Sequence, residues 1–286
     1  MGYMNMDQLY KNTDILLFKE CYAMEKIHGT SAHISYKNGE VKFFAGGGKH
    51  EVFLAMFDIP ALTKKLVDLF GEKEATIYGE YYGGNMQGMS DTYGKVAKFI
   101  AFDTQIDGMW VNVPKAEAIS HKLGIEFVYY ALIPATIEAI DAQRDSDSVQ
   151  AIRNGLGEGH KREGVVLRPI DEFTKNDGSR IISKHKRDEF RETKTVHPVS
   201  SEKLKLIEDA KLIAEEWVTH ERLNHILTSG EVTCDIENTG KVISMMVDDI
   251  IKEGSGELVD SKEARTEISR KTALMFKEIL RGKIND

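Results

Sequence analysis

The chain has 286 residues, 41% of them hydrophobic, which is enough for one large domain and a smaller companion. A formal net charge of -8 argues against wholesale electrostatic adhesion to nucleic acid, which needs basic surface, but leaves room for a local basic site. No stretch approaches the roughly 18 apolar residues of a membrane span, and residues 1–7 lack the basic and apolar parts of a secretory signal, so a cytoplasmic protein is expected.

In chain order, Ile15-Leu16-Leu17-Phe18 is an apolar run and Ala32-His33-Ile34-Ser35-Tyr36 an alternating one. They read as two strands with Glu25-Lys26-Ile27-His28-Gly29-Thr30 between them. Asn38-Gly39 is a hairpin signal ahead of a strand-like run at residues 41–45, and similar runs follow at 75–81 and 98–102. Pro60, Pro114 and Pro134 are each placed to open a helix, the first two closing at Gly71 and Gly124. From about residue 14 to 194 the pattern is antiparallel sheet with helices outside. After His197-Pro198 the apolar residues take helical spacing, as in Leu204, Ile207, Leu212 and Trp217, then Val242, Met246 and Ile250, then Ile268, Met275 and Ile279. Asp260 with Glu263 is expected to cap the last helix after Gly254-Ser255-Gly256. Two domains are expected, residues 1–197 and a helical 198–286. Cys21 and Cys234 lie far apart and form no metal or redox pattern, so both are expected to be reduced.

Five segments carry chemistry. Lys26 is the candidate nucleophile: a lysine amine can attack the α-phosphorus of a nucleoside triphosphate to give a phosphoramidate, and Gly29 lets backbone and phosphate approach closely. An ordinary lysine is protonated at neutral pH and costs on the order of 4 kcal/mol to neutralise, so nearby cations are needed; Lys184, Lys186 and a metal ion bound with the triphosphate would supply them. Glu80 closes a strand before a glycine-rich loop, where it could accept from ribose hydroxyls or simply be a sheet-edge glutamate. Phe102 offers a ring at a strand end that could stack on a base, although such a ring is more often core.

Glu163 stands immediately before the buried-looking Gly164-Val165-Val166-Leu167 and could hold metal-bound water. Lys184 and Lys186 share a face of the period-two segment Arg180-Ile181-Ile182-Ser183-Lys184-His185-Lys186, where an anion between them would relieve their repulsion; alone they read as a lysine-guarded edge. Positive charge gathers in this region, from His160-Lys161-Arg162 through Arg168, Arg180 and Arg187 to Arg191 and Lys194, as either a solvated face or a binding site.

Taken together and in order, Glu25-Lys26-Ile27-His28-Gly29-Thr30, Tyr78-Gly79-Glu80, Phe99-Ile100-Ala101-Phe102-Asp103, Glu163-Gly164-Val165-Val166-Leu167 and Ser183-Lys184-His185-Lys186 resemble the nucleotidyltransferase motifs of covalent ligases and capping enzymes. The K-x-H-G form with His28 is most similar to the RNA ligase 2 family, the phage-type and RNA-editing ligases. A looser likeness to that family's helical appendage runs through Trp217-Val218-Thr219, Arg222-Leu223-Asn224 and Gly240-Lys241-Val242. Nothing after residue 198 reads as the β-rich OB-fold that capping enzymes and most DNA ligases would carry.

The resemblance implies an α+β fold: an ATP-grasp-like nucleotidyltransferase domain of antiparallel sheets flanked by helices, then a small all-α domain. It implies an RNA ligase that uses ATP and Mg2+, or Mn2+, to join RNA 3′-hydroxyl and 5′-phosphate ends through lysyl-AMP and an adenylated 5′ end, in nick or end repair. Nicked duplex RNA or an RNA-containing duplex is the implied partner. Carried over by motif, Lys26 takes AMP, Phe102 stacks on adenine, Glu80 binds ribose, Glu163 organises metal, and Lys184 and Lys186 contact phosphate. His28 is implied near the reacting phosphates, and Glu25 in positioning the nucleotide. Where the family places an arginine, this chain reads Phe44-Ala45-Gly46-Gly47-Gly48-Lys49-His50, so Lys49 or the glycine amides are expected to serve instead. Alternatives are a DNA or mixed-specificity strand ligase and a non-catalytic nucleotide- or RNA-binding module; the complete motif set disfavours the last.

Overall fold

The computed structural model describes residues 2–175, 177–190, 199–229, 231–255 and 258–285; Arg191, Lys194, His197, Pro198 and Gly256, named above, lie outside them. The chain divides into two compact units, Met1–His197 and Pro198–Asp286.

In the first unit the strands are β1 (Glu20–Lys26), β2 (Thr30–Lys37), β3 (Glu40–Phe44), β4 (Ala75–Tyr82), β5 (Lys98–Ile106), β6 (Met109–Trp110), β7 (Tyr130–Pro134), β8 (Gly164–Pro169) and β9 (Ser183–Lys186). They form a four-stranded sheet, β7-β1-β8-β9, and a five-stranded sheet, β3-β2-β4-β5-β6. Every pairing between these strands is antiparallel. Helices α1 (His50–Leu54), α2 (Ile59–Phe70), α3 (Ser90–Tyr93), α4 (Val113–Leu123), α5 (Ile137–Arg144) and α6 (Val149–Arg153) flank them. This is the α+β architecture expected from the sequence.

Local chemistry explains the turns and caps. Asn38 (φ 49°) and Gly39 (φ 84°) both take left-handed backbone between β2 and β3, as a two-residue hairpin requires. Asp58 accepts from the Ala61 N–H and Pro60 stands in the first turn of α2, which buries Leu62, Leu66 and Phe70 along one face. Asn112 caps α4 in the same way, and left-handed Gly124 ends it. A core running from Met24 and Ile34 through Phe53, Leu66 and Ile77 to Ile100 and Phe127 joins helices to sheet.

Four local expectations are corrected. Residues Asp14–Leu17 form a 3-10 turn with Ile15, Leu16 and Leu17 buried; a run this short has no periodicity to separate strand from turn. Lys26 is consequently the last residue of β1 instead of a linker residue between two strands. Pro134 ends β7, and α5 opens later, where Thr136 accepts from the Ala139 N–H. Glu80 and Phe102 lie inside β4 and β5, not at strand ends.

The second unit is helical: α7 (Ser201–Trp217), α8 (His220–Thr228), α9 (Thr239–Glu253) and α10 (Lys262–Asn285). Ala214, Val218, Leu223, Ile226, Val242, Met246, Ile250, Ile268 and Phe276 make its core. Ser261, not Asp260, caps α10 by accepting from the Ala264 N–H at 3.1 Å. Asp260 is taken up by Arg265, whose Nε lies 2.6 Å away. Among the described residues no helix is long and apolar enough to cross a membrane.

Candidate active site

Strand register assembles the site. Across β1, β8 and β9 the residues Lys26, Gly164 and Lys186 lie opposite one another, so two lysines flank a glycine whose predecessor is Glu163. Glu163, 1% exposed, receives Lys26 Nζ at 2.9 Å and His28 Nδ1 at 3.1 Å on Oε2, and Lys186 Nζ at 2.8 Å on Oε1. Burial pushes its carboxyl up, but the His28 hydrogen bond and the Lys26 and Lys186 charges outweigh this and hold it at about 2. Lys26 itself keeps 20% of its side chain exposed and borders a cavity of about 240 Å³.

The turn after Lys26 is pinned from the other sheet. The Gly29 N–H donates to Glu80 Oε1 at 3.0 Å, and the His28 N–H donates to the Tyr93 hydroxyl at 3.3 Å. A Cβ on Gly29 would stand 2.4 Å from the Tyr81 carbonyl oxygen, so only glycine lets the backbone turn here against β4. Burial raises the Glu80 carboxyl to about 7, against the lowering effect of Lys26.

Glu25 also borders the cavity, yet its carboxylate is committed to a protein partner. It accepts from Ser148 Oγ at 2.6 Å and from the Val149 and Gln150 N–H groups at 3.0 and 3.2 Å, holding the start of α6 against β1. Phe102, Glu80, Lys184 and Lys186 all line the cavity with Lys26. His28 joins the group through Glu163 and packs its ring 5.4 Å from that of Phe190. Lys49 is not among the lining residues; it stands before α1 and its carbonyl accepts from the Phe53 N–H. Of the glycine amides beside it, Gly47 N–H is used by Thr30 Oγ1 and Gly48 N–H by the Ala45 carbonyl, both at 3.0 Å.

Sequence reading missed the ion-pair cluster around Arg168, which lines the cavity. Asp103, fully buried, receives Arg168 Nη1 at 2.9 Å and Arg180 Nη1 at 2.7 Å, and Glu172 pairs with both arginines. Arg180 also lies 4.0 Å over the Trp110 ring. These two arginines of the basic run are therefore buried and paired and form no part of a solvated face. Tyr3, Met4, Asn5 and Met6 also line the cavity, and no motif pointed to them. No spacing in the sequence marks the ion-pair cluster, because the burial of paired charge is visible only in the fold.

The family model for RNA ligases matches residues 19–186, the stretch from the start of β1 to Lys186 that holds the lysines, Glu80, Phe102 and Glu163. The chain belongs to the RNA ligase family. Solved structures agree at the level of fold. One is a Naegleria gruberi RNA ligase point mutant with AMP and Mn (TM-score 0.52, 14% identity), covering 66% of this chain and 57% of that one. Others are the Naegleria gruberi RNA ligase with PPi and a second point mutant with ATP and Mn, each at TM-score 0.51 and 15% identity with the same 66% and 57% coverage. This RNA ligase family member thus spans less than two thirds of the length of those ligases. No curated protein sequence matches it.

The arrangement has a definite chemical capacity. A cavity bordered by three lysine ammonium groups, an aromatic ring and a half-buried carboxylate from the second sheet can hold both a flat base and anionic phosphate.

Proposed function

We propose that this chain is an ATP-dependent RNA ligase that joins a 3′-hydroxyl to a 5′-phosphate through lysyl-AMP. The observation that carries the reading is the convergence of Lys26 and Lys186 on Glu163 beside a cavity bordered by Phe102 and Glu80. In the first step Lys26, having lost a proton, uses its Nζ lone pair to form a P–N bond to the α-phosphorus while the bond to pyrophosphate breaks. The 5′-phosphate of an RNA end then displaces the lysine and forms a P–O–P linkage. Finally the 3′-hydroxyl attacks that 5′-phosphorus, a phosphodiester forms, and AMP leaves.

Lys26 in the ion pair is an ammonium and no nucleophile, so Glu163 must exchange partners before chemistry. Lys186 remains close to spread phosphate charge, and Lys184 lines the same cavity. Phe102 presents a ring for the base, and Glu80 faces the cavity while it holds Gly29.

A divalent ion fits this donor set. Among the described residues no group of three or more acidic, histidine or cysteine side chains could cage one, whereas Glu163 is a single hard oxygen donor, suited to an ion that keeps its waters and shares phosphate ligands. When bound there, Mg2+ or Mn2+ would neutralise charge developing on the phosphate. Because the nucleotide motifs all precede residue 197, residues 1–197 are assigned to adenylation and the helical unit to end joining on a nicked or broken RNA duplex.

Incubation with magnesium and α-labelled ATP tests the reading. A covalent label is expected on wild type and neither on Lys26→Ala nor on Lys26→Arg, whose guanidinium keeps charge without a usable lone pair. Unlabelled wild-type protein would refute the enzyme. Comparison of nicks with RNA or DNA 3′-hydroxyl strands separates RNA ligase, expected to prefer RNA, from a mixed-specificity enzyme that seals both equally.

A further inference from the structure

We propose that Tyr3 is a positioning residue of the nucleotide pocket, bracing the Phe102 ring so that the amino-terminal segment sets the affinity for the base. The inference rests on the ligase reading above, but Tyr3 itself lies outside the matched span of 19–186.

The segment is anchored at two points of the site. At one end Tyr3 donates to Asp103 Oδ2 at 2.8 Å, joining the carboxylate that Arg168 and Arg180 already hold. At the other, residues 7–9 run beside β9: the Lys184 N–H donates to the Asp7 carbonyl and the Leu9 N–H to the Lys184 carbonyl, both at 2.9 Å. Between the anchors Met4, Asn5 and Met6 border the cavity. The chain therefore links a strand that carries two lysines to the residue next to Phe102.

The Tyr3 ring makes three aromatic contacts: Phe102 at 4.8 Å and 76°, Tyr78 at 5.1 Å, and Trp110 at 5.6 Å and 85°. The near-perpendicular approach to Phe102 fixes that ring's orientation through edge-to-face attraction. An unbraced ring would sample rotamers, and binding a flat base would then carry the entropy of ordering it. Burial and the Asp103 charge push the Tyr3 phenol well up, so it remains a donor throughout the working pH range. Met4 and Met6 supply adaptable, polarisable surface beside it.

The experiment is lysine adenylation with α-labelled ATP, titrated for half-saturating concentration and maximal rate, in wild type, Tyr3→Ala and Tyr3→Leu, with thermal melting of each. Tyr3→Leu retains apolar bulk and serves if Tyr3→Ala does not fold. Loss of an edge-to-face pair is expected to raise half-saturating ATP about fivefold, with maximal rate changed less than about twofold. A folded variant with wild-type half-saturation, or with its loss confined to maximal rate, overturns the proposal. Absence of label on wild type would instead overturn the ligase reading, so the two failures are distinguishable.

Discussion

Lys26 and Lys186 share one counterion: their ammonium groups bond to opposite oxygens of Glu163, at 2.9 and 2.8 Å. This carboxylate stands between the two cations, and removing its charge exposes their repulsion.

Glu163→Gln is accordingly expected to lower lysine adenylation at least about 100-fold, as loss of a preorganised electrostatic partner does. It also removes an acid dependence. The folded carboxyl, at about 2, titrates below its unfolded counterpart near 4.3. Its stabilisation, on the order of 3 kcal/mol, is complete above about pH 4.3 and lost as pH falls toward 2. Urea unfolding at pH 3 and pH 6 should show a steeper acid loss in wild type than in Glu163→Gln; equal slopes would contradict the charge assignment.

Glu80 gives the opposite sign. Burial raises its folded carboxyl to about 7, so between about pH 4.3 and 7 the native state binds more protons than the unfolded chain, and stability falls as pH rises through that window. Glu80→Gln keeps an oxygen for the Gly29 N–H and removes the titration. The variant is expected to gain stability relative to wild type between pH 5 and pH 8, by a few kcal/mol. A pH-independent difference in unfolding free energy would rule this out.

Gly29→Ala tests the turn beside Lys26. The added Cβ would meet the Tyr81 carbonyl oxygen at 2.4 Å and Tyr82 Cβ at 2.9 Å, and backbone in a sheet does not give way cheaply. A loss of about 1 to 3 kcal/mol of stability is expected, with adenylation reduced more than global unfolding at the assay temperature explains. Wild-type labelling by the variant would show that β4 tolerates displacement.

Much of the first unit was legible because short-range chemistry decided it. The Asn38-Gly39 turn, the Pro60 and Pro114 helix starts and the Gly71 and Gly124 stops each depend on the φ angles and missing donors of single residues. The ordered motifs likewise named Lys26, Glu80, Phe102, Glu163, Lys184 and Lys186, all of which border the cavity or pair beside it. Short apolar runs were not legible: Ile15 to Leu17 fit a strand or a turn equally until their burial was known.

Sequence alone picked out the candidate site residues and the local turns that present them. Tertiary structure decided who faces whom. The meeting of Lys26 and Lys186 on Glu163 depends on the register of three strands, and the bond from Tyr3 to Asp103 closes a separation of 100 residues. Backbone preferences act over a few residues, whereas register and buried ion pairs are settled by which faces are driven together when the core forms, and that choice is made only by the folded chain as a whole.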